Sequence, residues 1–207
     1  MSLAFLRRAV VTATFTSASL LAGLAFADDG GGGGVRFRGG IAGEGGMLFS
    51  TGIGGATLGV AGIQGQAGVQ ITNLVGVYAV PSADLVFGDL TGLNLGGAVL
   101  VDFTIVDRVA IGGGPEVGAF VALSQKGTKD AGAAAAVYGG RVHVGVYPFG
   151  GGSGKRSGLE IGADLHLDTG PIESGTVSLK RGLPSGFNTA TSHFLLAPML
   201  TIGYASF

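Results

Sequence analysis

From residue 35 onward, apolar and polar side chains alternate along the chain, the period of strands with two unlike faces. In the first segment Val35, Phe37, Ile41, Met47 and Phe49 share one parity, and Arg36, Arg38 and Glu44 the other. Next, Ile63, Ala67, Val69 and Ile71 oppose Gln64, Gln66 and Gln70. Residues 74–86 are apolar on both parities, and their register stays open. Leu93, Leu95, Val99, Val101, Phe103 and Ile105 then oppose Asn94, Asp102 and Thr104. Val109, Ile111, Val117, Val121 and Leu123 oppose Glu116, and Val142, Val144 and Val146 oppose Arg141 and His143. Leu159, Ile161, Ala163, Leu165 and Leu167 oppose Glu160, Asp164, His166 and Asp168. With the apolar run 194–207, the pattern predicts eight strands in an all-β fold.

The connections alternate in length. Thr72-Asn73 and Asp107-Arg108 are tight, and 150–157 is a compact Gly-rich turn. The links at 50–56, 86–92, 124–132 and 168–192 read as longer or looser. A hairpin meander places alternate links at opposite ends of a barrel, so this alternation predicts one short-turn end and one loop end. Pro115 and Pro198 fall inside strands, where each removes a ladder donor, and bulges are expected there.

Ahead of the strands, Arg7 and Arg8 precede an apolar stretch, and Ala25-Phe26-Ala27 forms a small-x-small site before Asp28. That is the pattern of a cleaved secretory signal peptide over 1–27. Residues 28–34, mostly glycine, read as a flexible tether, and 35–207 as one barrel domain. Removing the leader leaves 10 basic against 13 acidic residues, a net of −3. No basic stripe is present, which argues against nucleic-acid binding.

Composition decides which face looks outward. Only 12% of residues are charged, half the share of an ordinary soluble domain at about 25%. A water-soluble barrel would turn its apolar face inward and its charged face to solvent; the polar faces here are too sparsely charged for that. They are mostly Gly, Ala, Gln and Ser, residues that fit the narrow lumen of an eight-strand barrel. With 43 glycines, helices are disfavoured by roughly 1 kcal/mol per position. Cysteine is absent, which removes disulfides, thiolate catalysis and lipoprotein anchoring.

Candidate chemistry is thin. Gly112 to Gly118 is glycine-dense, but no helix pattern follows it, as a nucleotide-binding loop requires. Gly154-Lys155 has Phe149 where a phosphate loop needs its first Gly, and Arg156 where it needs Ser or Thr. Glu160, Asp164 and His166 share a strand face that Arg141 and His143 can approach. A metal site or acid–base pair is conceivable there, and a charge-paired lumen plug is the plainer reading. The expected lumen polar network is Arg36, Arg38, Glu44, Asp102, Glu116, Arg141, His143, Glu160, Asp164 and His166, with no cofactor.

The leader, the eight alternating segments, the unequal links and terminal Phe207 together resemble the small eight-stranded outer-membrane β-barrels of Gram-negative bacteria. The resemblance covers 35–207 and implies an antiparallel up-and-down transmembrane barrel in outer-membrane lipid. In that family the assembly machinery reads a final aromatic with apolar residues at alternate positions before it. Phe207 matches the aromatic; the parity before it holds Ala205, Gly203, Thr201 and Met199, whereas the bulkier Tyr204, Ile202 and Leu200 lie on the other. Trp is absent, so an interfacial girdle must draw on Phe37, Phe49, Phe103, Tyr138, Tyr147, Phe149 and Tyr204. Lipid A hydrolases of this architecture carry serine and histidine on one strand; only Ser192-His193 comes near, without the surrounding motif. The expectation is a non-enzymatic outer-membrane barrel with a plugged lumen, structural or acting through loop 169–192 on a surface partner. A secreted soluble barrel binding an apolar ligand, or less favourably a membrane-embedded lipid hydrolase, are the alternatives.

Overall fold

In the computed structural model the residues described are 35–50, 57–106, 108–125, 133–149, 157–171 and 192–206. The leader, the tether, most of the loop 169–192 and Phe207 lie outside them. Eight strands form one closed barrel in sequence order: β1 (Arg36–Ser50), β2 (Thr57–Gln70), β3 (Val75–Phe87), β4 (Leu90–Val106), β5 (Val109–Gln125), β6 (Ala133–Val146), β7 (Ser157–Pro171) and β8 (Ser192–Ser206). Every pairing is antiparallel. Closure comes from β1 against β8, from Gly39 opposite Ser206 to Ser50 opposite Leu195. With no free edge, every strand finds ladder partners on both sides.

The alternation resolves into an outside and an inside. Phe37, Ile41, Ile63, Val99, Phe103, Val117, Leu200 and Ile202 are exposed, whereas Arg38, Gln64, Asp102, Glu116, Arg141, Glu160 and Asp164 are buried in the lumen. The open register over 74–86 is settled by pairing of Val75 with Phe103 and Leu85 with Leu93. Odd positions of β3 therefore look outward and even ones inward. That segment reads as apolar on both parities because Tyr78, Val80 and Val86 are themselves lumen residues.

Two expectations about links and bulges are corrected. The third link is not a loose loop over 86–92: β3 runs to Phe87 and β4 starts at Leu90. Only Gly88 and Asp89 join them, with Gly88 at φ +141°, a conformation open to glycine and strained for other residues. Nor do the prolines cause bulges. Pro115 stays in register opposite Gly140, and Pro198 opposite Leu165. Register shifts occur instead at Thr91/Gly92 and Thr104/Val106. The prolines act on one ladder only. Pairing of β4 with β5 passes from Ala98–Glu116 to Val101–Gly113, and that of β1 with β8 from Gly46–Met199 to Phe49–Leu196. A missing N–H thus interrupts one ladder while the side chain stays on the outer face, where both prolines are exposed.

The turn after β2 is fastened by side chain and backbone together. Thr72 Oγ1 accepts from the Leu74 and Val75 amides at 3.1 and 3.0 Å, and Ile71 N–H donates to Val75 O at 2.9 Å. The resulting turn brings Asn73 beside Arg36, whose Nη2 donates to Asn73 Oδ1 at 2.8 Å.

Candidate functional site

The lumen is layered. Toward the loop end, Leu58, Val60, Val86, Leu90, Ala122, Ala197 and Met199 form a buried apolar cluster, with Leu48 and Phe120 packed on it. Toward the termini, Tyr78, Val80, Ala98 and Leu100 form a second, and Ala110, Tyr147 and Ala205 a third. The ionisable side chains lie among these clusters, where a charge needs both a counter-charge and hydrogen bonds.

Arg38 anchors one group. Its Nη1 is ion-paired with Asp102 Oδ2, both side chains being fully buried, and its Nη2 donates to Tyr147 Oη at 3.1 Å. The guanidinium carbon stands 3.9 Å from the centroid of the Tyr78 ring, a cation–π contact strengthened by exclusion of water. One cation is thereby held by a carboxylate, a phenol and an aromatic face.

A larger group is built on Asp164. Its Oδ2 accepts from Arg141 Nη2 at 2.6 Å and from Gln64 Nε2 at 3.3 Å, and its Oδ1 meets His143 Nδ1 at 2.7 Å. His143 Nε2 faces Glu160 Oε1 at 2.9 Å, and Gln66 Nε2 donates to Glu160 Oε2 at 3.1 Å. Arg141 Nη2 also donates to Gln64 Oε1 and lies 3.5 Å from Glu44 Oε2. An imidazole with carboxylates against both nitrogens satisfies the two only when both nitrogens carry protons. The strand register explains the assembly: Arg141 lies opposite His166 and His143 opposite Asp164 across the β6–β7 ladder.

A third group gathers toward the loop end. His166 Nδ1 meets Glu116 Oε2 at 2.9 Å, and Asn94 Nδ2 donates to Asp84 Oδ2 at 3.2 Å. Glu116, His166 and Asp168 each place a ligating atom within 4.8 Å of the others, as do Glu44, Asp164 and His166.

Nine of the ten residues expected in the polar network are thus buried in the lumen. Arg36 is placed differently, half-buried near the start of β1 and bonded to Asn73. The network also takes in Gln64, Gln66, Tyr78, Asp84 and Tyr147. Tyr147 corrects the girdle assignment, for it is 1% exposed and bonded to Arg38. Its parity held the signal, because Arg141 and His143, three and two alternations earlier along the same face, both point inward. The other girdle candidates are exposed, joined by Phe87 and Phe194. Phe37, Phe103, Phe149 and Tyr204 lie toward the strand ends nearest the termini, and Phe49, Phe87, Tyr138 and Phe194 toward the loop ends. The Ser192 and His193 side chains lie outside the described residues.

No protein-family model and no curated protein matches this chain. Among solved structures it is similar to Ail, the attachment invasion locus protein of Yersinia pestis, crystallised with the heparin analogue sucrose octasulfate. The identity is 13% and the TM-score 0.46, covering 84% of this chain and 99% of that one. It is also similar to the outer membrane protein OprG of Pseudomonas aeruginosa, at 11% identity and a TM-score of 0.37, covering 84% and 95%.

Proposed function

We propose that this chain is an integral outer-membrane β-barrel with a plugged lumen, serving a structural or loop-mediated surface-interaction role. The carrying observation is the inversion of polarity: charges buried within and large apolar side chains exposed without, around the closed wall. In water, contiguous exposed apolar surface of this extent promotes aggregation; in lipid it is the required outer face, and closure satisfies the backbone. Aromatic residues toward both strand ends match the two girdles of membrane barrels. A soluble ligand-binding barrel has the opposite arrangement.

The plug is supported by the apolar clusters at both ends of the lumen and the ion pairs between them, since the interior of an eight-strand barrel is just wide enough for side chains to fill. Export by a cleaved leader 1–27 and insertion through the barrel assembly machinery, with Phe207 in the final strand, belong to the same reading. A surface partner would be met by loop 169–192, since binding in such scaffolds is carried by loops. A substrate has no route into a packed lumen, so the reading is non-enzymatic. Fractionation of expressing cells tests it: the protein should need detergent for extraction, and release by osmotic shock would overturn the assignment.

A further inference from the structure

We propose that His166, Glu116 and Asp168 form a binding site for a divalent cation of the zinc type, inside the lumen toward the loop end. Charge balance is the first ground. Among the described residues, Glu44, Asp84, Asp102, Glu116, Glu160 and Asp164 are buried, against Arg38, Arg141, His143 and His166. Six carboxylates thus face at most four cations, and Asp168 adds a seventh, half-buried. Isolated buried carboxylates are costly, and they are neutralised or coordinate metals.

Open valences are the second ground, and they locate the excess. The Asp164 carboxylate is occupied on both oxygens, by Arg141, Gln64 and His143. Around His166 the situation differs. Its Nδ1 meets Glu116, but its Nε2 has no hydrogen-bond partner among the described residues, and neither has Asp168 Oδ1. His166 is 6% exposed and Glu116 4%. Both Glu44 oxygens lack a hydrogen bond too, with Arg141 only at ion-pair distance, and Glu44 lies within 4.8 Å of the same imidazole. Buried polar atoms of this kind are seldom left unpaired, and a cation completes them.

The donor set selects the ion. One imidazole nitrogen with carboxylate oxygens suits zinc and its first-row neighbours rather than calcium or magnesium, which take oxygen alone. Metal–ligand bonds of about 2.0–2.2 Å at tetrahedral angles place ligating atoms about 3.3–3.6 Å apart. The candidate atoms lie within 4.8 Å of one another, so side-chain movement of about an ångström closes the set on an ion. Asp168, the least buried of the three, marks the side from which an ion enters.

The experiment is calorimetric titration of Zn(II) into the full chain refolded in detergent, freed of metal by chelator. Parallel titrations use His166→Gln, Asp168→Asn and, as an outer-face control, Tyr138→Phe. One saturable site per chain is expected, weakened at least tenfold in His166→Gln and in Asp168→Asn and unchanged in Tyr138→Phe. Co(II) should give a d–d absorption that His166→Gln abolishes. Unsaturable Zn(II) uptake, or saturable uptake unaltered in both lumen variants, would overturn the proposal. Variants are compared only where gel mobility shows a folded barrel; Asp168→Asn, at the half-buried position, keeps the test decisive if His166→Gln does not fold.

Discussion

Arg38 and Asp102 stand 64 residues apart in sequence and form an ion pair across the lumen with neither side chain exposed. No local propensity joins them; only closure of the wall and the inward parity of β1 and β4 do. Removing one partner leaves the other charge buried and alone, at about 3–5 kcal/mol. Arg38→Met and Asp102→Leu should each lower unfolding free energy in urea by that order. The double variant should lose clearly less than the sum of the singles. Additive losses would mean the two residues do not act as a pair.

His143 is clamped by Asp164 and Glu160, and Gly145 leaves room for the clamp. A methyl group on Gly145 would meet Glu160 Oε1 and His143 Nε2 at 2.9 Å each. Gly145→Ala should therefore separate His143 from Glu160 and cost about 1–3 kcal/mol, the penalty of an unsatisfied buried group. The same substitution at Gly158, with nothing within 4 Å, adds no clash but meets a φ of +141°. Its loss should come from backbone strain, without disturbing the His143 ring resonances by NMR.

Tyr147 tests lumen against girdle. Tyr147→Phe keeps the ring and deletes the hydroxyl that accepts from Arg38. A loss of about 1.5–3 kcal/mol is expected, the range for a hydrogen bond to a charged group. Tyr138→Phe, on the exposed face, should change stability by much less, and urea unfolding of the two variants gives the comparison.

Charge on the outer wall should cost in proportion to depth. Ile202→Arg lies within β8 and should destabilise by about 2–4 kcal/mol in a bilayer, whereas Val35→Arg at the edge should cost about 0–1. Reversible unfolding from phospholipid vesicles measures both. Equal and small costs would contradict a lipid-facing wall.

Most strands were legible because their two faces meet different surroundings. Arg38 opposite Phe37, Asp102 opposite Phe103 and Glu160 opposite Ile161 each declare a parity. β3 hid its register because an apolar plug and an apolar wall present the same residue types; Asp84 and Ser82 were its only polar marks. Tyr78, Asp84 and Tyr147 escaped the network for related reasons. A tyrosine suits a girdle or a lumen equally well, and its place follows only from strand register. Bulges were illegible because a proline can spare the register by interrupting one ladder. The pairing of Arg141 with Asp164 rather than with Glu160 follows from the β6–β7 register, which sets Arg141 opposite His166 and Asp164 one inward position away; spacing along the chain does not encode that register.

The central claim is a closed barrel that lives in membrane, and gel mobility of the membrane-fraction protein in SDS tests it most directly. Run unboiled and boiled, the protein should give two positions, because a closed wall with every strand paired resists SDS until heated. A single unshifted band, from protein found in the soluble periplasmic fraction, would contradict both the lipid-facing wall and the outer-membrane assignment.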